Sequence, residues 1–105
     1  MAVFDVCASV NVLAGQSFQW SNIGRTAAVK ITPASGTSWP LPQNEYDIAA
    51  GGTSSAITVP AATPSGNYFF QVHWQLSTTP GQPCSATGGN PKIIVGDHVP
   101  ATPKY

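Results

Sequence analysis

Ionisable side chains are scarce in this chain: Asp, Glu, Lys and Arg make up 8% of its 105 residues, against roughly 25% in typical domains. Asp5, Glu45, Asp47 and Asp97 are balanced by Arg25, Lys30, Lys92 and Lys104. With no basic face to neutralise phosphates, nucleic acid is excluded as a partner. No polybasic or amphipathic helical stretch points to a membrane surface. No apolar run approaches the ~18 residues of a spanning helix, so membrane insertion is not expected. The surface must be built from Ser, Thr, Asn, Gln and Gly, a make-up more typical of secreted or surface proteins than of cytosolic enzymes. An extracellular or periplasmic location is the expectation. Met1–Asp5 lacks the basic n-region of a leader and reads as the approach to a strand.

Groups that carry chemistry are equally few. The chain has two histidines, His73 and His98, and Met1 as its one methionine. A Ser-His-Asp triad would have to use one of these imidazoles, and neither sits in a nucleophile context. Glu45 and Asp47 lie two residues apart and point the same way. Glycoside hydrolysis instead needs carboxylates ~5 to ~9.5 Å apart on opposing walls, so these two read as solubilising edge charges. The glycines at 51–52 and 88–89 lack the spacing of phosphate-binding loops. A non-enzyme is expected, with no cofactor.

Period-two alternation dominates, and no segment holds a 3.6-residue period for three turns. Ten prolines and ten glycines punctuate the short runs. The run VFDVCASVNVLAG places Phe4, Val6, Ala8, Val10 and Val12 on one face. QSFQW pairs Phe18 with Trp20, TAAVKIT turns Ala27, Val29 and Ile31 inward, and Tyr46 with Ile48 forms a short edge strand. SAITVP places Ile57 and Val59 together. In NYFFQVHWQL, Tyr68, Phe70, Val72 and Trp74 face the core, while Phe69, Gln71, His73 and Gln75 face away. PKIIVGD closes the fold. Seven short strands predict one all-β domain over residues 1–97, an antiparallel Greek-key β-sandwich, followed by a Pro-rich C-terminal tail over 98–105.

Cys7 and Cys84 are 77 residues apart. They are either the two ends of a disulfide or two small thiols; no CxxC or Cys/His cluster makes either a metal ligand. Trp39 and Tyr46 stand in a proline-bounded loop beside Asn and Gln. They either stack on a sugar ring, or Trp39 folds back with Leu41 over one end of the sandwich. The first and last strands carry few charges, Asp5 and Lys92, so a second copy could add to an edge and make a homo-oligomer.

The order AGQSFQWSN (14–22), TAAVKI (26–31), AGGTSSAITVP (50–60), SGNYFFQV (65–72) and NPKIIVGD (90–97) resembles that of the cupredoxin family, the plastocyanin-like small copper proteins. These motifs are partly shared with immunoglobulin-like sandwiches. The resemblance implies a copper site of two imidazoles and a thiolate, and here the sequence departs from it. The position of the family's first His falls among Thr26, Ala27 and Ala28, and that of its Cys on Val72. Setting Cys84 in place of that Cys puts Thr87 where the second His belongs. The expectation is a copper-free cupredoxin-like binding or assembly module. The alternatives are a carbohydrate-binding module using Trp39 and Tyr46, and a divergent metal protein using His73.

Overall fold

A computed structural model describes residues 1–36, 38–84 and 91–96. Eight strands form among them: β1 (Ala2–Asp5), β2 (Val10–Leu13), β3 (Ser17–Ser21), β4 (Val29–Pro33), β5 (Tyr46–Ile48), β6 (Ile57–Thr58), β7 (Gly66–Trp74) and β8 (Lys92–Gly96). They make two sheets, ordered β1-β3-β6 and β2-β8-β7-β4-β5. Asp97 and the tail 98–105 lie outside the described residues.

The sheets face each other because alternate residues of each strand are apolar. Phe18 and Trp20 of β3 project from the three-stranded sheet, while Ile31, Ile48, Phe70 and Ile93 project from the other; all are buried. Trp20 is the meeting point. Its ring stands edge-on to Phe18 at 5.0 Å, to Phe70 at 5.3 Å and to Tyr46 at 5.5 Å between centroids. Edge-to-face contacts of this kind add about 0.5–1.5 kcal/mol each beyond the area they bury.

The first run does not form one strand. It divides at Val6–Ser9, where Ala8 N donates to Asp5 O at 2.9 Å and the chain arches from one sheet to the other. Val6 stays buried and Ala8, expected inward, is exposed. Alternation simply restarts after the arch. β2 then rises in the opposite sheet, and Gly15, at a φ of 90°, reverses it into β3. Two reversals bring β3 down beside β1 in the same direction. The β1–β3 pair is therefore parallel, and the β2–β8 pair is parallel as well, in a sandwich expected to be antiparallel throughout. The remaining ladders are antiparallel. The last strand is not an edge either: β8 lies between β2 and β7.

Candidate functional site

The two ends of the sandwich differ in kind. At the lower end, where β1, β3 and β7 finish, the arch after β1 carries Cys7, and a disulfide joins it to Cys84. Arg25 sits over this bond. Its guanidinium grips Asp5 through Nη1–Oδ1 at 2.7 Å and Nη2–Oδ2 at 2.9 Å, and its Nε donates to Pro83 O at 3.3 Å. Nη2 also lies 3.1 Å from Cys7 Sγ. The Arg25 hydrogen bonds hold the Asp5 carboxyl below its usual value against the opposing effect of burial, and the same pair raises the guanidinium.

Beside it, Asn22 is fully buried at the corner leaving β3. Its Nδ2 donates to Ala27 O at 3.0 Å and Ala49 O at 3.1 Å, with Ile48 O at 3.5 Å. Its backbone O accepts from Gly51 N at 3.2 Å, and its N donates to Gly52 O at 2.7 Å. One amide thus ties the β3–β4 turn to the connection after β5. The sequence placed Asn22 in a motif, but its role becomes visible only through partners 26 and 27 residues away.

At the upper end, the loop after β4, the turn at 60–65 and the start of β7 enclose an open groove of about 800 Å³. Trp39, Pro60, Pro64, Asn67 and Phe69 are among its lining. Trp39 packs against the core, as does the buried Leu41, so this loop folds back over the sandwich. Trp39 Nε1 donates to Gln43 O at 2.6 Å, and Gln43 N donates to Tyr46 Oη at 3.2 Å. Burial raises the Tyr46 phenol. Trp39 and Tyr46 are therefore linked through one residue, but they do not form one platform. Tyr46 lines a different hollow, with Glu45, Asp47 and Ser54–Thr58. Phe69 stands in Trp39's groove instead. Its signal was present in the sequence: a large apolar ring on the polar face of β7.

His73 is exposed on that polar face. It faces Lys30 across the β4–β7 ladder, and its Nε2 lies 3.2 Å from Thr32 Oγ1. His98 lies outside the described residues. Among the described residues, no three His, Cys, Asp or Glu side chains come together as a metal-binding group would require. Glu45 pairs with Lys30 at 3.5 Å, and Asp47 is exposed on β5. Among the described residues no helix is long and apolar enough to cross a membrane.

No protein-family model matches the chain, and no curated protein matches it. Among solved structures, the third ScaB cohesin of R. flavefaciens, determined in complex with a group 1 dockerin, is similar over 90% of this chain and 94% of that one, at 19% identity and a TM-score of 0.38. Lac15 from a marine microbial metagenome is similar over 90% of this chain but 25% of its own length, at 14% identity and a TM-score of 0.40. At these values neither likeness bears on function.

Proposed function

We propose that this domain is a non-catalytic, cupredoxin-like sandwich without a copper site, which works outside the cytoplasm by joining copies of itself along the β1 margin. The disulfide supports the location, because such bonds persist in oxidising compartments. It also supports the copper-free reading: both sulfurs are bonded to each other, leaving no thiolate for a metal.

The observation that carries assembly is the contrast between sheet edges. An unpaired edge is a template for another strand unless something guards it. β5 is guarded by exposed Asp47 and by the Glu45–Lys30 pair. β6 is two residues long and is followed closely by Pro60. β2, the fourth edge, also lacks a charge or a proline, but its exposed residue is Asn11 and its two valines are buried. β1 has neither device and differs from β2 in what it exposes. Its charged residue, Asp5, is drawn into Arg25, while Val3 is 52% exposed. Beside it, Met1, Ala2, Asn11, Val12, Gln16 and Ser17 line a hollow where β1 and β2 part into opposite sheets. A strand from a second copy would pair with β1 through its backbone and set side chains into that hollow.

Amide hydrogen exchange tests this site directly. The outward amides of Ala2–Asp5 should exchange more slowly as protein concentration rises, while those of β5 and β6 stay unchanged. Equal exchange at all concentrations would remove the proposal.

A further inference from the structure

The upper groove has a surface unlike the rest of the molecule. Trp39, from the loop after β4, and Phe69, from the outer face of β7, supply aromatic surface, and Phe69 is 40% exposed. Asn67 and Ser65 add exposed hydrogen-bonding groups. The described lining contains no Asp, Glu, Lys, Arg or His. Beside the groove, Lys92 Nζ stands 5.8 Å from the Phe69 ring centroid, within the range of a cation–π contact.

These features select among ligands. An ionised ligand would lose water without gaining a counter-charge from the lining. A lipid tail would bury Asn67 and Ser65 without hydrogen-bond partners. A proline-rich peptide presents carbonyl acceptors and no donors. With Trp39 Nε1 engaged by Gln43 O at 2.6 Å and Tyr68 Oη by Pro64 O at 2.5 Å, it would use only the donor side of Asn67 and Ser65, whereas sugar hydroxyls use both their donors and their acceptors. What remains is aromatic surface beside a rim of amide and hydroxyl groups. A pyranose ring has the complementary make-up, with an apolar C–H face and hydroxyls around its edge. We infer that this groove binds a neutral oligosaccharide of equatorially substituted pyranoses, stacked on Phe69 and Trp39 and hydrogen-bonded by Asn67 and Ser65. The site lies at the end of the sandwich away from the disulfide and does not depend on assembly at β1.

The test is calorimetric titration of the full chain with hexasaccharides of β-1,4-linked glucose and of β-1,4-linked xylose, beside hexaproline and polygalacturonate. At least one neutral hexasaccharide should saturate a single site. Phe69→Ala should weaken it about three- to tenfold, the worth of one aromatic contact, while Phe69→Tyr retains it. Asn67→Ala, at an exposed position, should weaken it without touching the core. The inference is overturned if none of the neutral hexasaccharides saturates, if Phe69→Ala and Asn67→Ala bind like wild type, or if hexaproline or polygalacturonate binds more tightly than every neutral sugar.

Discussion

Arg25 and Asp5 form a two-pronged ion pair, at 2.7 and 2.9 Å, between the turn after β3 and the end of β1. Because Arg25 holds the Asp5 carboxyl below its usual value, the pair's contribution is complete above the unfolded pKa of ~3.9. It is lost as pH falls through the lower folded value. The Asp5 side chain is 44% exposed, so water screening limits the effect to about 1 kcal/mol or less, a few degrees in Tm. Asp5→Asn should melt below wild type at neutral pH, and the gap should close only below about pH 4. A gap unchanged at strongly acid pH would contradict this.

The disulfide closes a loop across 77 residues of separation. In the chain-entropy model, a loop of that length contributes about 4 kcal/mol by restricting the unfolded state. The double variant Cys7→Ser with Cys84→Ser should therefore lose much of its urea resistance, read as a lower midpoint. A shift worth under about 1 kcal/mol would mean that the bond merely decorates the arch.

Copper should find no home in the oxidised protein. His73 has the cationic Lys30 as its cross-strand neighbour, which opposes a second positive ion, and both cysteine sulfurs are in the disulfide. Titration with Cu(II) should give no thiolate charge-transfer band, and His73→Ala should change nothing. A stoichiometric band that His73→Ala abolishes would refute the copper-free reading.

Asn22 offers a test of polar chemistry in the core. Asn22→Ala removes the donor to the half-buried Ala27 carbonyl and the side-chain tie to the connection after β5, and should cost about 1–3 kcal/mol. Asn22→Asp should be worse at neutral pH, since a carboxylate would face the oxygens of Ala27, Ile48 and Ala49. Acid should narrow the difference, because the protonated group can donate once. Chemical denaturation of both variants at two pH values decides the order; an Asp variant as stable as Ala at neutral pH would contradict it.

Much of this fold can be read from alternation. Phe18 and Trp20, Ile31, Ile48, Ile57, and Tyr68 and Phe70 lie buried where period two places them, and His73 is on the outer face. The arch at Val6–Ser9 is hidden because alternation resumes in phase after it, so two strands in different sheets read as one. Strand direction is hidden for a related reason: a side-chain pattern is the same for parallel and antiparallel neighbours. The cysteine pairing is not legible in the sequence, because it depends on the arch and the loop after β7 meeting in space. Trp39 and Tyr46, adjacent in composition, separate because Tyr46 belongs to a strand that packs on Trp20 while Trp39 closes the upper end.

Self-association through β1 is the central claim, and light scattering coupled to gel filtration tests it most directly. Over about a hundredfold range of concentration, the wild-type mass should rise to a defined multiple of the monomer. Val3→Lys, which sets a charge on the exposed edge, should return it to monomer with the fold intact. A wild-type protein that stays monomeric throughout, or an assembly indifferent to Val3→Lys, would contradict the account.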